Sequence, residues 1–156
     1  MSTPLLRRLR RDEAGNTLVL FPAAVLIVLG LGALALDSAT VFLGQRRLVD
    51  VAAAVANDAL AAVDPDAFFG QPPGAVQVPI DPLRAEQRLG AIVAAQVPDR
   101  SLEDLGCAFE ALDSGPPTRV VVRCTATVRP ILAPVWPGAP DVRPIQAREV
   151  AVGVQR

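Results

Sequence analysis

The chain has 156 residues, with 15 basic and 16 acidic side chains and no histidine. This length provides one small domain, and the near-neutral charge gives no electrostatic reason to expect a nucleic-acid partner. The absence of histidine removes the commonest general base and the commonest metal ligand. We therefore predict that the protein is not an enzyme, and we predict no catalytic, cofactor-binding or metal site.

The first predicted element is the uncharged run of 19 residues that begins at Leu18 and ends at Leu36. A helix rises about 1.5 Å per residue, so this run spans roughly 28 Å, close to the hydrocarbon thickness of a bilayer. We predict a transmembrane helix over 17–36 that anchors the chain in lipid. One alternative is a signal peptide cleaved after Ala35, and another is the buried helix of a soluble protein, for which little chain remains to build a core.

The flanks of this run predict its orientation. Four arginines precede it closely: Arg7, Arg8, Arg10 and Arg11. Short basic segments stay in the cytoplasm, so we expect residues 1–16 to be a cytoplasmic basic segment and the rest of the chain to be extracytoplasmic. The predicted location is the cell membrane, crossed once.

Residues 37–64 predict an extracytoplasmic amphipathic helix that continues from the membrane run. Val41, Leu48, Val55 and Ala62 recur every seven residues and form its packing face, which is rich in alanine over 52–62. Two interpretations of this face stay open. It packs against the protein's own sheet, or it contacts helices of other subunits in a homo- or hetero-oligomer.

A proline- and glycine-rich loop is predicted over 65–80, followed by a small helix-plus-sheet domain over 81–156. Asp81 and Pro82 have the residue types of an N-cap and a first helical turn, and Val97-Pro98 ends that helix. The proline-rich stretch 130–144, which contains Trp136, precedes a final strand that begins at Ile145.

The alternating stretches 107–112 and 119–129 predict an antiparallel hairpin. Pairing Leu112 with Arg119 places Cys107 opposite Cys124 and puts Ala111 on the buried face. We interpret the two cysteines as a structural disulfide, with two buried thiols or a redox pair as alternatives.

The nearby acids of the hairpin, Glu103, Asp104 and Glu110, are interpreted as solvated surface rather than as an acid–base pair. The predicted fold class is α+β. A long N-terminal transmembrane and extracytoplasmic helix carries one further helix and a three- or four-stranded antiparallel sheet.

The order of features in the N-terminal third resembles the TadE/TadG-like proteins of Flp (tight-adherence) pilus systems. A basic lead ends in a glycine, an apolar run with a proline ends in an aspartate, and an arginine pair, a leucine and an alanine-rich segment follow. The matching positions are Gly15, Pro22, Asp37, Arg46, Arg47, Leu48 and 52–62. Leu20 stands where prepilin-like members carry glutamate, which favours the TadG-like side of the family.

This resemblance implies a structural, membrane-anchored component or assembly factor of a Flp/Tad-type pilus or a related secretion machine. Its expected partners are the lipid bilayer and the membrane proteins of that machine. The second hypothesis is a membrane-tethered binding module whose sheet or Trp136 loop recognises a wall polymer or peptide. In the first hypothesis helix packing carries the function, and in the second hypothesis the domain over 81–156 carries it.

Overall fold

The computed structural model describes residues 5–72, 74, 78–96, 102–115, 117–132, 138 and 140–153, with side chains from Leu20 onward apart from that of Gln96. Three helices precede three strands. The helices are α1 (Leu5–Leu60), α2 (Pro65–Phe69) and α3 (Pro82–Gln96), and the strands are β1 (Glu103–Asp113), β2 (Thr118–Val128) and β3 (Arg143–Gly153). The strands form one antiparallel sheet in the order β1-β2-β3, which confirms the predicted α+β class.

Helix α1 is a single element of 56 residues, about 84 Å long at the usual rise per residue. It begins at Leu5 rather than near residue 17, so the basic segment is a helical extension of the apolar run. Pro22 consequently lies inside the helix and not in its first turn, yet the helix continues through it. The apolar run and the amphipathic segment that follows it are therefore one uninterrupted helix.

The connection from α1 to α3 contains a short helix that the sequence does not predict. Helix α1 ends at Leu60, and Asp64 caps the short helix α2 by accepting hydrogen bonds from the backbone N–H groups of Asp66 and Ala67 at 3.0 and 3.1 Å. The predicted loop over 65–80 thus begins with a helical turn. Asp81 caps α3 as predicted, its Oδ1 accepting from the Arg84 N–H at 3.1 Å.

The hairpin register agrees with the prediction at its centre and differs at its tip. Cys107 lies opposite Cys124 and Phe109 opposite Val122, but Leu112 pairs with Val120 rather than with Arg119. The difference arises from a β-bulge, because β1 has one extra residue, Glu110, between Phe109 and the next paired position. The bulge turns Ala111 to solvent and Leu112 toward the core, which corrects the predicted position of Ala111.

One hydrophobic core joins the outer part of α1 to the sheet and to α3. The α1 side of this core is small and aliphatic, and the sheet side is mostly valine and alanine. Its buried members include Leu48, Val51, Ala52, Val55, Ala56, Ala59 and Ala62 from α1, Ala85 from α3, and Val120, Val122, Cys124, Ala126, Val128, Ile145, Ala147 and Ala151 from the sheet. The segments 37–64 and 81–156 therefore form one folded unit, here called the outer domain.

Candidate functional site

The apolar part of α1 projects away from the outer domain. Its side chains from Leu20 to Leu36 are mostly exposed, with Leu36 itself 57% exposed, and the side chain of Leu18 lies outside the described residues. Within the described chain, this is one helix long and apolar enough to cross a membrane, and none of its apolar window is buried by protein. Lipid is the environment that would remove this surface from water.

The polar side chains that follow the apolar run form hydrogen bonds with backbone groups of the same chain. Asp37 Oδ1 accepts a hydrogen bond from the Leu132 backbone N–H at 2.8 Å, which ties the segment after β2 to α1. The hydroxyls of Ser38 and Thr40 donate to the carbonyls of Leu34 and Leu36 at 2.8 and 2.9 Å. Such bonds within the helix lower the cost of placing these groups near lipid.

The predicted packing face of α1 is covered by the outer domain itself. Leu48, Val55 and Ala62 are at most 1% exposed, and Val41 packs partly buried against the same core. These four residues thus belong to, or pack against, the core that α1 forms with the sheet and α3. At these positions the structure therefore supports the interpretation in which the face packs against the protein's own sheet.

The sheet approaches α1 closely at Gly44, a position that the sequence does not single out. A Cβ atom at residue 44 would lie 2.5 Å from Cγ2 of the buried residue Val128. The absence of a side chain thus lets the end of β2 lie directly on the helix. A glycine within an amphipathic helix can signal the close approach of another element, but it does not identify that element.

Beside this contact lies an open groove of ≈ 470 Å³ between α1 and the end of β2, here called the arginine groove. Arg46 and Arg47 on α1 and Arg129 after β2 supply its positive charge, and Asp50 supplies one negative charge. Thr40, Leu43, Gly44 and Val128 complete its lining. Arg129 also forms an ion pair with Glu103, Nη2 to Oε2 at 3.2 Å. The family-like positions Arg46 and Arg47 are thus brought together with a third arginine that sequence reasoning missed.

The predicted cysteine pair is joined in the sheet. The Sγ atoms of Cys107 and Cys124 are 2.00 Å apart, and Cys124 is completely buried on the core side. A bond between two directly opposed strands fixes the hairpin register near its centre. Its position inside the core is typical of a structural crosslink rather than a reactive thiol.

The outward face of the sheet carries a charge cluster centred on the bulge. Glu110 lies between Arg123 and Arg148, with Arg148 Nε donating to Oε2 at 2.7 Å and Arg123 Nε donating to Oε1. The hydrogen bond from Arg148, followed by the one from Arg123, holds the pKa of the Glu110 carboxyl below its ordinary value of 4.5. This carboxylate thus lies on the exposed surface, as the sequence predicts, and it is paired there with arginines of the two other strands.

The remaining candidate residues contribute little to a site. Gly15 lies within the helical backbone of α1, and Trp136 lies outside the described residues. In the part of the chain that the structure describes, no group of three metal-ligating side chains occurs.

A second open groove of ≈ 480 Å³ lies along the sheet between Asp104, Thr125, Thr127, Pro144 and Gln146.

No protein-family model, curated protein or solved structure shows significant similarity to this chain. The geometry of the chain itself and the resemblance of its N-terminal third are therefore the features that bear on its function.

Proposed function

We propose that the chain is a structural, membrane-anchored component or assembly factor of a Flp/Tad-type pilus or a related secretion machine, with its N-terminus in the cytoplasm and its outer domain outside. The observation that carries this proposal is the continuity of α1. A fully exposed apolar stem passes without a break into the helix around which the outer domain folds.

The family-like positions support this proposal by the roles they have in the fold. Asp37 accepts a hydrogen bond from the segment after β2, and Leu48 is buried at the centre of the packing face. Arg46 and Arg47 line the arginine groove. The residues that carry the resemblance thus lie where the membrane helix is joined to the outer domain. Such a joint is what an envelope assembly component requires.

The packing face of α1 is not the surface that this proposal assigns to partner subunits. Because the packing face is already covered, partner subunits would contact α1 through its apolar run and through the side of its outer half that the sheet leaves open. Ala54, Asn57 and Ala61 lie on that open side and are exposed. Small side chains at these positions permit close approach of a second helix.

A complementation experiment in the source organism tests the proposal. Deletion of the gene should abolish surface pili, and the wild-type chain should restore them when expressed in the membrane. Ala54→Arg, on the open side of α1, should restore few or none, whereas the matched control Ala94→Arg on the exposed side of α3 should restore them fully. If the deletion strain still assembles normal pili, the proposed function is wrong.

The second candidate function is the membrane-tethered binding module, which the groove beside Thr125 and Thr127 favours. Its hydroxyl, amide and carboxylate groups match the hydrogen bonds of a wall polysaccharide or an extended peptide. The full chain in detergent micelles, incubated with purified wall polymer, should then be retained on it. Thr125→Val should reduce retention, and equal retention of the control Arg119→Gln would show that the effect is local.

A further inference from the structure

We propose that the base of the outer domain is seated in the interfacial layer of the bilayer, with Phe42, Leu43 and Ile131 inserted at the boundary between headgroups and acyl chains. These three residues are here called the apolar rim. The inference rests on the membrane anchoring contained in the proposed function. It adds a lipid-contacting surface on the outer domain and does not depend on any protein partner.

The apolar rim is exposed and comes from two separate parts of the chain. Phe42 and Leu43 on α1 are 65% and 61% exposed, and Ile131, in the segment after β2, is 66% exposed. At the same level of α1, Val41 packs partly buried against the core. One side of the helix therefore meets the sheet here, and the other side presents large apolar groups to the surroundings.

A hydrogen bond keeps the two parts of the rim at a similar level. The Leu132 backbone N–H donates to Asp37 Oδ1 at 2.8 Å, so the neighbouring residue Ile131 lies close to the end of the apolar run. Phe42 and Leu43 follow Asp37 by five and six residues, about 8–9 Å along the helix axis. The apolar rim thus lies in a narrow band just beyond the apolar run.

The dimensions of a bilayer indicate what surrounds this band. The apolar run of 19 residues spans roughly 28 Å, which matches a hydrocarbon core of about 30 Å. The headgroup and interfacial regions add about 5–8 Å on each side. Side chains on a helix tilt toward its N-terminus, which is the membrane end of α1, so Phe42 and Leu43 reach back into that layer.

The polar groups at this level are compatible with insertion. No charged side chain lies between Asp37 and Arg46 in the sequence. The hydroxyls of Ser38 and Thr40 donate to helix carbonyls, and one oxygen of the Asp37 carboxylate accepts the hydrogen bond from Leu132. Because these hydrogen bonds are formed within the chain, the groups that make them lose less on leaving bulk water.

Lipid is the occupant that these observations favour over a second protein. The apolar rim continues the exposed apolar surface of the stem, where Leu36 is 57% exposed, so the medium that covers the stem reaches the rim as well. Insertion of large apolar side chains at the boundary of acyl chains and headgroups is the usual mode of interfacial binding. The outer domain would then touch the membrane directly, in addition to being tethered to it.

The test uses the full chain in phosphatidylcholine nanodiscs and the fluorescence of a single tryptophan. Trp136→Phe removes the one natural tryptophan, and a new one is placed at each of four sites in turn. The sites are Ile27 at the centre of the apolar run, Phe42 and Ile131 in the rim, and Phe69 at the end of α2, beyond the far end of α1. All four side chains are at least 63% exposed in the protein, so differences in quenching report what lies outside it.

Two quenchers distinguish lipid from water. Bromine on the lipid acyl chains quenches tryptophan that lies in the bilayer, and acrylamide quenches tryptophan that lies in water. We expect Phe42→Trp and Ile131→Trp to lose more emission to bromine near the glycerol end of the chains than to bromine near the methyl end. Ile27→Trp should show the reverse preference. The matched control Phe69→Trp should lose emission to acrylamide alone.

Three results would overturn the proposal. Quenching of Phe42→Trp but not of Ile131→Trp by brominated lipid would show that the helix enters the layer without the domain. Equal quenching of Ile131→Trp and Phe69→Trp by acrylamide would place the rim in water. Shielding of both rim sites from acrylamide without quenching by bromine would indicate a second copy of the chain on the rim instead of lipid.

The Ile27→Trp variant separates this inference from the proposed function. If brominated lipid quenches Ile27→Trp but neither rim variant, the membrane anchoring stands and the rim proposal alone is wrong. If brominated lipid leaves Ile27→Trp unquenched, the anchoring contained in the proposed function is wrong, and the rim proposal fails with it.

Discussion

Replacing Gly44 by alanine tests the close approach of α1 and the end of β2. In a helix this change normally stabilises by about 1 kcal/mol, because alanine has the higher helix propensity. Here the new Cβ would lie 2.5 Å from Val128 Cγ2, and the side chain of valine is stiff about χ1. Overpacking of this kind costs about 1–3 kcal/mol, so we expect a net loss of about 1 kcal/mol in the free energy of unfolding.

Two matched variants isolate the contact. Gly90 lies in α3 with no atom within 4 Å of the position of its Cβ, so Gly90→Ala should stabilise the outer domain by about 1 kcal/mol. Val128→Ala removes both methyl groups that crowd residue 44. In that background Gly44→Ala should change sign and become stabilising by about the same amount, since the clash is absent.

Native-state hydrogen exchange of the β2 amides, measured on the full chain in nanodiscs, reports the opening free energy of the outer domain without requiring the membrane helix to unfold. The sign change is the decisive result. If Gly44→Ala is as stabilising as Gly90→Ala with Val128 intact, the close approach of α1 and β2 described above is wrong.

Four further outcomes are expected, each measured by the same hydrogen-exchange assay unless another method is named. Leu48→Ala, in the fully buried centre of the packing face, should cost about 2–5 kcal/mol. Joint replacement of Cys107 and Cys124 by serine should cost about 3 kcal/mol, the chain-entropy term for a loop of this size. The Glu110 carboxyl should titrate below 4.5 by carbon-13 NMR, so its stabilising contribution is complete above that pH and lost as the pH falls through the lowered pKa. A fragment of residues 65–156 should show no cooperative unfolding by circular dichroism, because it lacks the α1 side of the core.

Controls for three of these outcomes are available within the chain. Phe42→Ala, at a 65% exposed position in detergent, should cost far less than Leu48→Ala. Glu110→Gln should remove the acid-dependent loss of sheet stability. A fragment that begins at residue 38 should fold, and a cooperative transition in the fragment of 65–156 would contradict the shared core.

Local patterns in the sequence are enough to predict most of the elements. The uncharged run and the heptad spacing after it specify α1, and the Asp81-Pro82 pair specifies where α3 begins. Strict alternation around Cys107 and Cys124 specifies the centre of the hairpin, since a shift by one residue would turn every side chain to the other face. In each case the information lies within a few residues of the element.

Features that depend on distant contacts could not be predicted in this way. The bond between Asp37 and Leu132 joins residues 95 positions apart, and the contact of Gly44 with Val128 depends on where the sheet docks. The bulge at Glu110 moves the hairpin tip by one residue while the alternation of the flanking sequence stays regular. An alanine-rich helix face gives no sign of whether the surface covering it belongs to the same chain.

Strand β2 runs back along α1 toward the apolar run, and this limits how far the outer domain extends along the helix axis. Gly153 and Thr118 lie near Leu60, whereas the segment after Val128 comes back to Asp37. The sheet therefore occupies the same 35 Å or so of height as the 23 residues of helix between those two levels. Under the proposed membrane anchoring, a domain folded back on its stem in this manner has a short reach, and any partner that it engages must come within about 35 Å of the end of the apolar run.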